Sequence, residues 1–211
     1  MRIRLRSAAA TAVIAMLALT GCGGADDGPG DASATPTPSF GIQPTGEAVE
    51  IAPLQEIEGA ERRTVHGMGI DVPSGMELSE AELDDGSTQF QLREPGAERS
   101  SVIVTLTPQE GAGEATVDAF STVTETQLGA SGAVENLSRT VARWEGMPYA
   151  VVITGTLVLD GASGEERKDL IIVTVHHPDG TSVAGISAEA PEGELDESDA
   201  YAALRTLRFE G

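Results

Sequence analysis

The chemistry-bearing residues of this chain are few, and their spacing argues against catalysis. Cys22 is the one cysteine, so no disulfide or Cys-x-x-Cys redox pair can form within the chain. It stands just after an apolar run, next to Gly21, at the start of a polar, Gly-rich stretch, which argues against a buried thiol. His176 and His177 are adjacent in a β-type segment; their side chains point to opposite faces and cannot grip one metal ion together. His66 stands apart from any serine and acid at a spacing that would suggest a triad. No Gly-x-Ser-x-Gly elbow, Ser-x-x-Lys, phosphate-binding glycine loop or His-Glu-x-x-His motif follows Cys22. The acids concentrate at Glu77 to Asp85 and at Glu192, Glu194, Asp196, Glu197 and Asp199. The second group offers oxygen ligands that calcium would accept, yet lacks EF-hand spacing, and it reads as a solvated loop beside a helix N-terminus. The expectation is a non-enzyme without cofactor or metal. The remaining candidates for recognition are Trp144, Met147 and Tyr149, which flank a Glu145-Gly146 turn and unite the sole Trp with one of two Tyr. Exposed, they would form an apolar tip for partner contact; buried, Trp144 would serve the core, and so few aromatics favour burial.

Charge narrows the partners. The formal net charge is −21, and removal of an N-terminal segment carrying Arg2, Arg4 and Arg6 would leave −24. The remaining basic residues, of which Lys168 is the only lysine, are scattered, so nucleic acid is not an expected partner.

The first residues explain Cys22. Three arginines precede an apolar run from Ser7 to Ala18, the layout of a secretory signal. The run is shorter than the roughly 20 residues a spanning helix needs. It ends in Leu19-Thr20-Gly21-Cys22, which resembles the bacterial lipobox. That resemblance implies cleavage before Cys22 and attachment of a diacylglycerol, with further acylation such as palmitate, to the new N-terminal cysteine. Burial of acyl methylenes contributes about 0.8 kcal/mol each, enough with two or more chains for lasting attachment. The expected location is the extracytoplasmic face of the cell membrane, held through Cys22.

Behind the signal (1–21), residues 22–63 are dense in Gly, Pro, Ser, Thr and acids and read as a disordered tether, although apolar Ile42, Val49, Ile51 and Leu54 leave room for an edge strand. Residues 64–211 read as one α+β domain. β-type composition at Val65 to Val72, Thr88 to Arg93 and Ser101 to Thr107 precedes a helical pattern from Glu114 to Leu128. Ala133 to Trp144, Pro148 to Asp160, Arg167 to His177 and Thr181 to Ala190 then suggest a four-strand antiparallel meander, and a helix capped by Asp196 or Ser198 follows. Tyr149 to Leu159 and Leu170 to Val175 are apolar on both sides, which predicts cover on both faces of the sheet. The element order, a β-start of the form GIDVPSGM and a Gly146-Met147-Pro148 entry to the longest strand resemble the PsbP-like fold of LpqN/LpqT-type actinobacterial lipoproteins. The resemblance implies an antiparallel sheet of six or seven strands with helices on both faces, an α/β/α sandwich, and a domain that works by binding proteins. Two functions remain as expectations: a non-catalytic lipoprotein that binds an envelope protein partner, or a carrier for an apolar envelope ligand, which would need a lined apolar cavity.

Overall fold

The computed structural model describes residues 43, 44, 46–161 and 164–210. The signal, the Leu19 to Cys22 tetrad and the start of the tether lie outside them.

The longest strands are the meander: β7 (Val134–Trp144), β8 (Ala150–Gly161), β9 (Gly164–His176) and β10 (Ser182–Pro191). Val, Ile and Thr at alternating positions favour a pleated backbone, and glycines at Gly146 and Gly180 (φ 83° and 73°) supply the left-handed residues of two connecting turns. Four further strands extend the sheet: β1 (Val49–Ile51), β4 (Glu77–Glu82), β5 (Thr88–Arg93) and β6 (Val102–Pro108). The order is β1-β7-β8-β9-β10-β6-β5-β4, antiparallel throughout except for β1, which runs parallel to β7. A second sheet has the order β11-β3-β2 and comprises β2 (Glu61–Val65), β3 (Met68–Val72) and β11 (Arg208–Phe209).

This architecture corrects the expected α/β/α sandwich. Strands make up 48% of the described residues and helix 17%, so the protein is mostly β. The front of the large sheet is covered chiefly by the second sheet. Val65, Met68, Ile70 and Val72 of that sheet pack onto Phe90, Leu92, Val104, Val152, Val173 and Ile186 of the large one. The short helix α2 (Asp199–Arg205) fills the gap beside them with Ala200, Ala203 and Leu204, and Ser198 Oγ caps it by accepting from Tyr201 N. Helix α1 (Glu114–Ser131) lies over the back of β7, β8 and β9, where Ile153, Leu170 and Ile172 form a smaller cluster.

The folded body also begins earlier than residue 64. Ile51 is buried beside Trp144, and Leu54 N donates to Arg205 O at 2.9 Å. The segment read as one strand, Val65 to Val72, is the end of a hairpin. His66 (φ 47°) and Gly67 (φ 76°) make a two-residue turn with both residues left-handed, which pairs Val65 with Met68.

Polar groups fasten the second sheet. Arg62 donates to Asp71 Oδ1 at 2.9 Å, to Thr206 O at 3.0 Å and to Glu210 Oε1 at 3.0 and 2.9 Å. Buried Asp71 also accepts from Ile57 N at 3.0 Å, and its own N–H donates to Thr206 Oγ1 at 2.9 Å. Hydrogen bonds from Thr64 Oγ1 and then from Arg62 hold the Glu210 carboxyl below the usual carboxylate range.

Two outcomes are expected. Gly155 faces a β-bulge between Glu135 and Ser138, and a Cβ there would sit 2.6 Å from Val134 Cγ1 and 3.0 Å from Glu135 O. Gly155→Ala should therefore cost about 1–3 kcal/mol in urea unfolding; an unchanged midpoint would show that the bulge yields freely. A depressed carboxylate adds stability above its unfolded pKa, near 4.3, and loses it as pH falls through the lower folded value. Glu210→Gln should be less stable than the parent at pH 7, and the gap should narrow below about pH 4. A gap constant down to pH 2 would exclude any role for the charge.

Candidate interaction surface

Trp144 does not form an exposed tip. It ends β7 with 4% of its surface accessible, packed in the front core beside Ile51. Its Nε1 is the one buried side-chain polar atom among the described residues that lacks a hydrogen-bond partner. An orphaned indole N–H costs about 1–3 kcal/mol, a cost that burial of so large a ring offsets. Met147 is half-buried against the same core. Tyr149, also half-buried, donates from its hydroxyl to Asp118 Oδ1 of α1 at 2.8 Å, and burial together with that carboxylate pushes its pKa up to about 12. The three residues are thus divided between core packing and anchorage of α1.

The other singled-out residues are dispersed. His177 lies edge-on to Phe209, with ring centroids 4.6 Å apart, and pairs with Asp179. Asp179 also accepts from Thr181 Oγ1 and N, and these bonds, ahead of His177, lower its pKa. His176 bonds His177 O through Nδ1, and His66 meets Glu80 through Nε2 at 3.1 Å. Of the second acid group, Glu192 pairs with Arg167 at 2.9 Å. Among the described residues no three His, Asp or Glu side chains converge on a point where a metal ion would be held.

Two shallow grooves mark the surface of the described residues, both rimmed by charge. One of about 160 Å³ lies over Ile57 between Glu56, Arg62, Asp71 and Arg208 and belongs to the polar fastening of the second sheet. The other, about 490 Å³, opens where the two sheets meet at one side of the molecule. Its floor is Val72, Met76 and Leu78, and its rim is Glu61, Arg63 and Glu77. Two strand edges flank it. Among the described residues β2 bonds only β3 and β4 bonds only β5, so each turns an edge outward that no described strand pairs.

Sequence accounts for this locally. Pro73-Ser74-Gly75, with Gly75 at φ 93°, turns the chain from β3 to β4, and Met76 N donates to Pro73 O at 3.0 Å. Met76 and Leu78 then reach back to the core, while Glu77, Ser79, Glu80, Ala81 and Glu82 are exposed. The acid run at Glu77 to Asp85 is therefore a paired strand up to Glu82. Its side chains alternate without an apolar stripe, so a reading that searches for half-buried strands passes it by. The usable signal is the pair Met76 and Leu78, two apolar residues spaced by two at the head of the acids.

No protein-family model matches the chain, and no curated protein sequence matches it. Among solved structures, a crystal structure from Bacteroides thetaiotaomicron is similar over 69% of this chain at 12% identity and a TM-score of 0.36. The alignment spans 46% of that protein, less than half its length. A likeness of that size carries no argument about this chain.

The burial of the only indole fixes an expected spectrum. Trp144 emission should be blue-shifted and poorly quenched by acrylamide in the folded protein. A red-shifted, readily quenched emission would return Trp144 to the surface and reopen it as a contact residue.

Proposed function

We propose that this protein is a lipoprotein anchored through acylated Cys22 at the extracytoplasmic face of the cell membrane, and that its folded domain binds an envelope protein partner without catalysing a reaction. The membrane half of this reading rests on the Arg-rich start, the short apolar run and the Leu19 to Cys22 tetrad. The binding half is carried by one observation: the groove over Val72, Met76 and Leu78 lies between two strand edges whose backbone groups have no strand partner among the described residues. Such edges recognise proteins by main-chain hydrogen bonding, with side-chain pockets adding selectivity.

A carrier for an apolar ligand is the weaker reading. Carriers enclose their cargo in cavities lined predominantly by apolar side chains. The two grooves described above are instead surface features rimmed by Glu, Asp and Arg.

Two measurements test the proposal. Mass spectrometry of membrane-extracted protein should find acyl mass on Cys22, and Cys22→Ser should leave an uncleaved precursor or an unanchored chain; an unmodified wild-type Cys22 would end the lipoprotein reading. Photoactivatable residues placed singly at Ser79, Thr105 and Gln127 should give a discrete protein adduct in native membranes from at least one position. Adducts from none of the three would remove the protein-binding reading.

A further inference from the structure

We infer that the groove receives an extended, basic segment of the partner, added as a further strand along the outer edge of β4. This rests on the protein-binding reading and specifies its chemistry.

The edge supplies the docking geometry. β4 offers six residues, about 20 Å of backbone, and its pairing with β5 uses one side only. An incoming strand would satisfy the donors and acceptors on the other side. The register of β4 on β5 fixes which of its side chains share a face. Glu80 pairs with Phe90, which is buried in the front core, so Leu78, Glu80 and Glu82 project to the front. A strand beside β4 would therefore place one side chain near Leu78 and the groove floor, and the next two of the same face beside Glu80 and Glu82. The floor of Val72, Met76 and Leu78 calls for an aliphatic side chain, and the two carboxylates call for lysine or arginine.

The nearby cations leave this acidity in place. Arg63 is occupied by Glu61 at 3.0 Å, and Glu82 has no basic neighbour within ion-pair distance among the described residues. Among the described residues Glu80 has one basic contact, with His66 at 3.1 Å where the hairpin turn approaches β4. The acids also select against a second copy of this chain. Edge-to-edge antiparallel pairing of two β4 strands centred on Ala81 would bring Glu80 and Glu82 against the same residues of the other copy, and like charges facing each other across strands destabilise pairing. A basic segment meets attraction at those positions.

The test uses the intact protein in detergent and two fluorescein-labelled hexapeptides, Val-Thr-Lys-Thr-Lys-Thr and its reverse, which present the pattern for parallel and antiparallel addition. One of them should bind in an anisotropy titration at about 0.15 M salt. The same peptide with alternate backbone amides N-methylated should bind at least about tenfold more weakly, since charge and side chains are kept but strand bonding is lost. Glu80→Lys with Glu82→Lys should weaken binding by about tenfold or more. The control pair Glu98→Lys with Glu110→Lys changes net charge equally at exposed positions elsewhere and should stay within about twofold.

Binding by neither peptide, undiminished binding of the N-methylated form, or equal loss in both charge variants would each overturn the inference. If the peptides fail while photocrosslinks persist at Thr105 or Gln127, the groove is the wrong surface and the protein-binding reading stands. If crosslinks are absent at every position, the broader reading falls as well.

Discussion

The front of the large sheet is covered by the apolar face of the three-stranded sheet, and that second layer keeps its form through the guanidinium of Arg62. This side chain joins β2 to β3 through Asp71, to the end of α2 through Thr206 O, and to the C-terminal residues through Glu210. Asp71 is 4% accessible, so its charge is tolerated only because Arg62 and the Ile57 N–H meet it. Removal of one partner from a buried ion pair is far more destabilising than the net contribution of the intact pair, because the other charge is left without water or counterion. The network thus fixes which segments must be present together. Residues near 57, the β2–β3 hairpin and residues 206–210 are distant in sequence yet share one set of hydrogen bonds, so the second sheet is complete only with all three segments in place.

The other face of the sheet is held differently. α1 buries Val117, Ser121 and Thr124, a narrow and partly polar stripe, and the sheet answers with Arg139, 7% accessible on β7. Arg139 donates to Glu125 Oε2 at 2.9 Å and to Ser121 Oγ at 3.0 Å, while Tyr149 bonds Asp118. Asp118, Ser121 and Glu125 recur at three- and four-residue spacing and so share one side of the helix. Directional bonds of this kind set the register of the helix on the strands where the apolar stripe alone is too narrow to do so.

Much of the element order was legible from residue patterns. The meander, α1 and the Ser198-capped α2 follow from alternation, helical spacing and capping chemistry, each a local property. What was not legible was cover. Apolar residues on both sides of β8 and β9 establish that something lies over each face, but they do not distinguish a helix from a sheet. The β2–β3 hairpin escaped because its turn is His66-Gly67 in place of an Asn-Gly or Asp-Gly pair, and β11 has two residues only. β1 is the edge strand that apolar Val49 and Ile51 left room for, although the Gly- and Pro-rich composition around it favoured a tether; Ile51 is 1% accessible. Trp144, Met147 and Tyr149 drew notice for their type, whereas the groove residues Met76 and Leu78 are ordinary aliphatics whose interest comes from position.

The order of strands in the large sheet has a consequence for reach. The chain enters the sheet at β1, one extreme edge, and the groove lies against β4, the other. Seven inter-strand steps of about 4.8 Å separate them, roughly 34 Å measured across the sheet. The acidic edge is thus displayed at the full width of the sheet from the strand at which the described chain joins it.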